Sequence, residues 1–389
     1  MKTLYFSNIV LSSHEGAGVI RKVSAQCRVM DDNNIDVYLA CFQNASTFYI
    51  QHKGSVIYSL DVKSHRGPAK DFIIFKNIFS WIINNNINVV YSRYETYSIR
   101  ASYFYHLLKK QNIRVLVEIP TYPISQRWNS IGTSIKTKKY GIAIRQVFNS
   151  TVGSLGILFM KYGVDRIVNN NGYDKIWRIP TIKITNGVDV MSTPIRKNVE
   201  KDPLDIKLIA VASVAKWHGY DRIIRGLSDY YQNKSIKYHI TFDIVGPGQE
   251  IENLQLLVEE LSLKEHVKFL GFKTGDELSS LIDIADIGVS VLGVHRNNMN
   301  VCDSLKSREY SARCIPFITE ASERAYIGVP FVLFCPSDET NIDMLKVIDF
   351  HHQLKNLQIG PMMREFAFEH CDWRVAFMPV CNYINSEVH

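Results

Sequence analysis

The residues best suited to chemistry lie in one segment, Asp303 to Pro316, in which Lys306 and Glu309 stand one helical turn apart. An apolar run and then a polar turn precede them, which predicts a helix that begins at the end of a strand. Free amides at a helix N-terminus and a lysine suit a diphosphate, and a carboxylate one turn later suits ribose hydroxyls. A nucleotide sugar contains both a diphosphate and a ribose, so we predict that this segment binds a nucleotide sugar as the donor. An ordinary surface helix with a one-turn Lys-Glu pair is the alternative for this segment alone.

The length and charge of the chain exclude some classes of protein. Its 389 residues exceed the size at which one core usually stops growing, so two domains of roughly 190 residues each are expected. The formal charge of +7 is modest and the basic residues are spread along the chain, which argues against a nucleic-acid partner. The same charge permits contact with an anionic membrane surface and suits phosphorylated ligands.

Cysteine usage and hydropathy predict a cytoplasmic protein. The 7 cysteines are odd in number and include no CxxC pair, so neither a disulfide framework nor a zinc site is expected. The first residues lack the apolar core of a signal peptide, and no apolar run approaches the roughly 18 residues of a membrane span. Any membrane association is therefore expected to be peripheral, on the inner face of the cell membrane.

Short apolar runs alternate with amphipathic stretches in both halves of the chain, which is typical of βα units around a parallel sheet. We predict an α/β protein with two doubly wound, Rossmann-like domains. A polar connection at residues 198–205 places the boundary a little earlier, so that residues 1–187 form the first domain and residues 188–371 the second. Such domains bind ligands at the carboxyl ends of their strands, and two facing domains would hold a site in the cleft between them.

The ends of the first-domain strands add further candidates. The first strand runs into a turn with Gly16 and Gly18, where glycine lets a backbone approach a ligand, although a plain tight turn explains both equally well. His14 and Arg93 also lie near predicted strand ends, where an acceptor or phosphate could meet the donor, and a surface role is the alternative for each. Four basic residues flank an apolar stretch: Lys136, Lys138, Lys139 and Arg145. They could lie on an anionic lipid or a lipid-linked acceptor, and a merely solvated face is the alternative.

Four segments resemble, in the right order, the nucleotide-binding half of the retaining glycosyltransferases of GT-B fold. Residues 186–189 match the family's linker signature, residues 245–248 its glycine turn after a strand, and residues 267–272 the strand whose end commonly meets the base. In the fourth segment, Glu309 stands where the family's ribose-binding glutamate stands. Each motif is weak, but their order and spacing over residues 186–316 make the resemblance specific.

Further segments resemble a bacterial surface-polysaccharide subgroup of this family, namely residues 118–123, 216–222 and 293–296. The resemblance implies a GT-B fold in which the C-terminal helix, residues 372–389, packs back on the first domain. It implies a retaining hexosyltransferase that moves a hexose from a UDP or GDP sugar to a lipid-linked oligosaccharide or glycan acceptor. Capsule, exopolysaccharide and O-antigen synthesis are the pathways that it implies.

The resemblance also implies the chemistry of the site. Enzymes of this fold stabilise the departing diphosphate with cations and helix amides, and the chain has no DxD pair in a turn, so we expect no metal and no cofactor, the donor being a substrate. The predicted donor-binding residues are Gly16, Gly18, Lys216, Gly246, Phe272, Arg296, Ser304, Leu305, Lys306 and Glu309. The catalytic candidates are Glu309, Lys306 and His14, and the predicted acceptor-side residues are Arg93, Glu118, Thr121 and Tyr122.

The chain departs from the family at two points. Ser213 and His218 replace an arginine and a lysine that usually hold the diphosphate, and Lys216 is the nearby residue that could supply the missing charge. Cys302 replaces the earlier of two glutamates spaced seven apart, which the family associates with the donor sugar. Because of these departures, one alternative is a catalytically silent subunit that binds the nucleotide sugar and supports a partner transferase. A GT-B-like sugar-nucleotide epimerase, which would act on the donor itself, is the other alternative.

Overall fold

The computed structural model describes residues 1–12, 17–65, 67–94, 97–120, 122, 155–170, 172–197, 199–200, 202–232, 236–297, 301–355 and 357–386. The chain divides into two compact units: unit 1 is Met1–Thr185 with Ala376–His389, and unit 2 is Asn186–Val375. The boundaries predicted from the sequence were 187 and 371. Both units alternate strands and helices around mainly parallel sheets, which confirms the predicted α/β class with two Rossmann-like domains.

The elements follow the predicted alternation closely. The sequence pattern predicts helices over residues 99–110 and 220–231 and strands over residues 239–245 and 332–335, and all four agree residue for residue with the structure. The strands are β1 (Lys2–Val10), β2 (Asp36–Phe42), β3 (Thr47–His52), β4 (Ser55–Asp61), β5 (Val89–Arg93), β6 (Arg114–Glu118), β7 (Arg166–Asn169), β8 (Lys175–Ile176), β9 (Ile179–Lys183), β10 (Asp205–Val211), β11 (His239–Val245), β12 (Val267–Gly271), β13 (Ile287–Val289), β14 (Phe317–Glu320) and β15 (Val332–Cys335). The α-helices are α1 (Ala17–Asp32), α2 (Pro68–Asn84), α3 (Ile99–Lys110), α4 (Tyr220–Tyr231), α5 (Ile251–Glu260), α6 (Gly275–Asp283), α7 (Leu305–Arg313), α8 (Met344–Lys355), α9 (Ile359–Phe366), α10 (Trp373–Ala376) and α11 (Met378–Asn385). Residues 155–160 are also helical.

The sheet of unit 1 has the strand order β4-β3-β2-β1-β5-β6-β7-β9-β8. β1 lies in the middle and pairs in parallel with β2 and β5. β5 is buried along its whole length, as expected of a central parallel strand covered by helices. The Phe6 ring of β1 stacks on Tyr94, with 4.7 Å between ring centroids, and Phe75 of α2 stacks on Phe104 of α3 at 4.9 Å. This aromatic cluster joins the sheet to two of its helices.

An antiparallel hairpin extends one edge of this sheet, and it was not predicted from the sequence. β3 pairs with both β2 and β4 in antiparallel register. Its turn residues Lys53 and Gly54 have φ of 47° and 81°, the left-handed conformation that tight hairpins require and that glycine adopts without strain. A two-residue turn with glycine between runs of β-branched and aromatic residues was the available signal.

The C-terminal helix α11 belongs to unit 1. The Arg114 guanidinium donates hydrogen bonds to the carbonyl oxygens of Tyr383 at 3.0 Å and Ile384 at 2.6 Å, at the end of α11. A cation at this end satisfies carbonyl groups that have no partner within the helix. The Phe377 ring packs edge-on against Tyr91 of β5, with 5.5 Å between centroids. These contacts hold α11 on the sheet of unit 1.

The sheet of unit 2 is parallel throughout its described strands, in the order β12-β11-β10-β13-β14-β15. Counted from β10, this is the order 3-2-1-4-5-6 of dinucleotide-binding folds, in which ligands bind where the order reverses. That point lies between β10 and β13. The apolar run of residues 287–292 predicts a longer strand, but β13 ends at Val289. The Leu292 amide donates to the His218 carbonyl at 3.0 Å and turns the chain toward the loop after β10. Among the described helices, none combines the length and the apolar character needed to cross a membrane.

Candidate functional site

The candidate site of unit 2 lies at the carboxyl ends of β10 and β13. Three segments meet there: the short helical turn Lys216–His218 after β10, the turn Val294–Asn297 after β13, and the start of α7. The Lys306 ammonium lies over the Trp217 ring, 5.3 Å from its centroid, and so connects α7 to the loop after β10. The structure therefore brings predicted residues of two separate motifs to one edge of the sheet.

The start of α7 is capped in a way that leaves room for an anion. Ser304 is the N-cap residue with extended backbone, and its hydroxyl accepts a hydrogen bond from the Lys306 amide at 3.2 Å. The Ser304 amide donates to the Glu323 carboxylate at 3.1 Å. The Leu305 amide, the first of the helix, donates to no acceptor among the described residues. An unbonded amide at the positive end of the helix dipole favours an anionic ligand.

Lys306 adds a cation of unusual acidity. Burial lowers the pKa of Lys306 to about 8, and the negative charge of Glu323 opposes this effect. Burial destabilises the charged form of Lys306 when no ligand is bound. A bound anion would stabilise this ammonium group. Glu309 lies one turn further along α7, and its carboxylate accepts from the Arg313 guanidinium at 3.1 Å. Arg313 is buried, so Glu309 also has a structural role.

His218 cannot supply the charge that the family places at its position. It is buried, and its Nδ1 accepts a hydrogen bond from the Ala215 amide at 2.9 Å. Burial, with the Lys306 charge as second cause, lowers the pKa of His218 to about 2, so the ring is neutral at physiological pH. Ser213 and Lys216 are both exposed on the same loop. Lys216, in the turn after β10, and Lys306, in the first turn of α7, are therefore the candidate cations for a diphosphate.

Arg296 has partners within unit 2 that the sequence did not indicate. Its guanidinium binds both carboxylate oxygens of Asp221 at 2.8 Å, the Glu339 carboxylate at 2.5 and 2.9 Å, and the Lys216 carbonyl oxygen at 2.8 Å. These hydrogen bonds lower the pKa of Glu339 to about 2 and raise the pKa of Arg296. Arg296 braces the loops here, and its predicted contact with the donor would require it to leave one of these carboxylates.

Two other predicted donor residues have different surroundings. Gly246 has φ of 121°, and a Cβ there would lie 2.0 Å from the Ala212 carbonyl oxygen. The glycine is therefore needed for close packing of the turn after β11 on the loop after β10. Phe272 follows β12 and is about half exposed, as a residue that meets a ligand can be. Its role in binding the base stays a prediction.

A buried carboxylate that sequence reasoning missed lies behind the start of α7. Glu323 accepts hydrogen bonds from the Ser304 amide at 3.1 Å, the Ser307 hydroxyl at 2.6 Å and the Thr319 hydroxyl at 2.9 Å. Burial raises its pKa, and the Arg308 charge opposes that effect. Burial raises the pKa of the Cys302 thiol, and the nearby charge of Glu323 raises it further. A carboxylate thus remains near the position where the family has its earlier glutamate.

The linker motif is tied to the same region. The Asn186 amide and side chain donate to the Asp303 carboxylate at 2.5 Å and to the Asp303 carbonyl at 2.6 Å. Arg308 donates to the Asp303 carboxylate at 2.5 Å and to the Asn186 carbonyl at 3.2 Å. A Cβ at Gly187 would lie 2.7 Å from the Trp373 ring. Packing and hydrogen bonding therefore explain the Asn-Gly pair without a ligand.

In unit 1 the predicted acceptor residues Arg93 and Glu118 form a buried ion cluster at the ends of β5 and β6. The Glu118 carboxylate binds Lys22 of α1 at 2.8 Å, Arg93 at 3.4 Å and the Tyr91 hydroxyl at 2.7 Å. Burial alone would raise the pKa of Glu118, but the charges of Lys22 and Arg93 lower it to about 2. Lys22 was not predicted, because its position on α1 gives no local signal.

The remaining predicted residues are either apart from this cluster or not described. Tyr122 packs against Tyr173, with 5.0 Å between ring centroids. Gly18 lies in the first turn of α1, with open space around its Cα. The residues outside the described part of the chain are His14, Gly16, Thr121, Lys136, Lys138, Lys139 and Arg145.

Comparisons with known proteins agree with this geometry. The family model for glycosyl transferases group 1 matches residues 191–292. The whole structure is similar to Anabaena Alr3699/HepE in complex with UDP (10% identity, 100% of each chain, TM-score 0.61). It is also similar to sucrose-phosphate synthase from Thermosynechococcus elongatus (12% identity, 99% of this chain and 98% of that chain, TM-score 0.64). A third similar structure is the lipopolysaccharide outer core galactosyltransferase WaaB in its apo form (11% identity, 100% of each chain, TM-score 0.59).

No curated protein matches the chain in sequence. The structural similarity, at these low identities, defines the fold, which is GT-B. The family match covers β10, α4, β11, α5, β12, α6 and β13, and hence the strand ends at which the candidate site lies. The chain therefore has the GT-B fold, and its second unit contains the segment that matches the glycosyl transferases group 1 model.

Proposed function

We propose that this protein is a retaining, metal-independent hexosyltransferase that takes its sugar from a UDP or GDP donor. The observation that carries the proposal is the pairing of Lys306 with the unbonded Leu305 amide at the point where the strand order of unit 2 reverses. Both groups favour a diphosphate, and the matched family segment ends at the same edge of the sheet. These observations support a nucleotide site at this edge of the sheet of unit 2.

The proposed chemistry follows from these groups. Transfer breaks the bond between the anomeric carbon and the diphosphate oxygen, and the bonding electrons remain on the diphosphate. The same carbon forms a new bond to the oxygen of an acceptor hydroxyl, whose proton passes to the departing diphosphate. The Lys306 ammonium, the Leu305 amide and the exposed Lys216 would stabilise that charge, so that a metal ion is not needed for this role. Glu309, one turn along α7, would accept hydrogen bonds from the ribose hydroxyls.

The acceptor is proposed to be a lipid-linked oligosaccharide or other glycan of a bacterial surface polysaccharide. Support comes from the subgroup resemblance of residues 118–123, 216–222 and 293–296 and from the similarity to WaaB, which is described as a lipopolysaccharide outer core galactosyltransferase. A UDP donor is supported by the similarity to HepE, which was crystallised with UDP. Such an acceptor would place the protein in the cytoplasm, at the inner face of the membrane.

A thermal-shift titration with UDP, GDP and their hexose conjugates tests the donor site. A nucleotide at about a hundred times its dissociation constant should stabilise the wild type by roughly 2.7 kcal/mol. The Glu309→Gln variant should lose most of this shift, because its one acceptor oxygen still serves Arg313 and an NH2 group, which cannot accept, replaces the oxygen that would serve the ribose hydroxyls. Glu309→Ala is less suitable, since it removes the partner of a buried arginine.

Glu260→Gln, at an exposed position at the end of α5, is the matched control and should keep the full shift. A shift of equal size in Glu309→Gln would remove Glu309 from the site. The proposal fails if no UDP or GDP compound shifts the melting temperature of the wild type.

A silent nucleotide-sugar-binding subunit is the second candidate, and the neutral His218 and the Cys302 thiol favour it. Such a subunit would show a nucleotide-dependent thermal shift but would turn over no donor with any acceptor. Cys302→Glu should then create donor hydrolysis or transfer, with Cys302→Gln as the uncharged control. Turnover of a UDP or GDP sugar by the wild type would exclude the silent subunit.

A further inference from the structure

Two helical segments of unit 1 are packed side by side with little between them. A Cβ at Gly156 would lie 2.1 Å from the Tyr97 carbonyl oxygen, and one at Gly163 would lie 2.5 Å from the His106 amide nitrogen. The Ser102 hydroxyl donates to the Gly156 carbonyl at 2.7 Å. Because position 156 meets the start of α3 and position 163 meets its second half, the segment beginning at residue 155 runs parallel to α3.

The outer side of this pair is apolar. Six large side chains on it are between 46% and 65% exposed, and we name them the outer patch: Ile99, Tyr103, Leu155, Leu158, Phe159 and Tyr162. Leu155, Leu158 and Phe159 have the spacing i, i+3 and i+4, which places them on one face of the helix of residues 155–160, and Tyr162 lies in the turn that follows. Exposed apolar groups gathered in this way mark an interaction surface, and aromatic rings of this kind favour the membrane interface.

Basic side chains surround the outer patch. Arg100, Lys109, Lys110 and Lys161 are exposed on the same two segments. Residues 97–112 and 155–164 contain no aspartate or glutamate, and the following Asp165 is paired with Lys109 at 2.7 Å. An apolar helical face bordered by cations is complementary to a bilayer with anionic headgroups.

We propose that the outer patch docks unit 1 on an anionic lipid bilayer. The apolar side chains would enter the headgroup region, and Arg100 and Lys161 would lie at the lipid phosphates. The inference goes beyond the proposed transfer reaction and does not rest on it, because the outer patch shares no residue with the donor site. Nucleotide binding and vesicle binding can therefore each fail without the other.

Vesicle sedimentation of the full chain tests the proposal. The wild type should bind vesicles of equal parts phosphatidylglycerol and phosphatidylcholine, and should bind phosphatidylcholine vesicles much more weakly. L158S/F159S should lower the partition coefficient about tenfold or more, because the apolar area of two large side chains then stays out of the bilayer. The control V56S/I57S, at comparably exposed positions of β4, should bind as the wild type does.

Charge-reversal variants test the docking proposal independently. R100E/K161E should lower binding to the anionic vesicles about tenfold or more, and raised salt should weaken the wild type in the same direction. K63E/K76E reverses two exposed lysines elsewhere in unit 1 and should have a much smaller effect. Equal binding by L158S/F159S and wild type would overturn the proposal. So would a dimer in light scattering that L158S/F159S converts to a monomer, without vesicle binding by either.

Discussion

Replacing Glu118 by alanine should lower the free energy of unfolding of unit 1 by about 3–5 kcal/mol, the range for breaking a buried ion pair from one side. Lys22 and Arg93 both bind this carboxylate, and each of the three side chains is at most 6% exposed. Removing the carboxylate takes away a negative charge that offsets the desolvation of these two buried cations. Urea unfolding followed by circular dichroism measures the loss.

Two variants separate charge from packing. K22M/E118L removes one charge of each sign, so it should recover much of the stability that Glu118→Ala loses. Asp174→Ala breaks the exposed pair between Asp174 and Lys183 in the same unit and should leave the melting temperature unchanged. A Glu118→Ala variant as stable as the wild type would show that the cluster contributes nothing to folding.

The same cluster predicts a dependence on acid. The folded-state pKa of Glu118 is about 2, below the value near 4.3 of an unfolded glutamate. Between these two pH values the unfolded state therefore binds more protons than the folded state. The stabilisation by Glu118 is therefore complete above about pH 4.3 and is lost as the pH falls toward 2.

The second large effect concerns nucleotide affinity. Lys306→Met should weaken the binding of UDP or GDP about 10- to 150-fold, because a charge-assisted contact of about 1.5–3 kcal/mol is lost. The apo protein should not lose stability, since the buried ammonium is costly and a methionine can pack on Trp217 in its place. Isothermal titration calorimetry and thermal melts of the same variant measure the two effects separately.

The pH profile gives this experiment a signature. Because the pKa of Lys306 is about 8 without ligand, wild-type affinity should fall as the pH rises above about 8, where the ammonium loses its proton. Lys306→Met should lack this fall, and Lys306→Arg should shift it out of the accessible range. Lys346→Met, at an exposed position of α8, is the control. Unchanged affinity in Lys306→Met would exclude Lys306 from the site.

The sequence predicted the secondary structure well where the signal was local. Apolar runs at the strand period and amphipathic helices alternate in both halves, and this alone gave the α/β class with two Rossmann-like domains. The hairpin of β3 and β4 was not predicted, because the alternation of strands and helices favours parallel pairing and a short turn such as Lys53-Gly54 is a weak signal against it. The early end of β13 was also missed, since it depends on a hydrogen bond to His218 from a distant part of the chain.

Local patterns in the sequence predict the order of the strands and helices along the chain and the kinds of residues at their ends. Lys306, Ser304 and Leu305 come together in the structure as the spacing predicted, because a helix start after a strand is a local feature. The charge states of the buried side chains and their hydrogen-bond partners depend instead on the folded structure. The neutral His218, the Arg296 guanidinium held by Asp221 and Glu339, and the buried Glu118 and Glu323 all depend on neighbours from distant segments. Desolvation and ion pairing arise when the chain folds, so no local pattern encodes them.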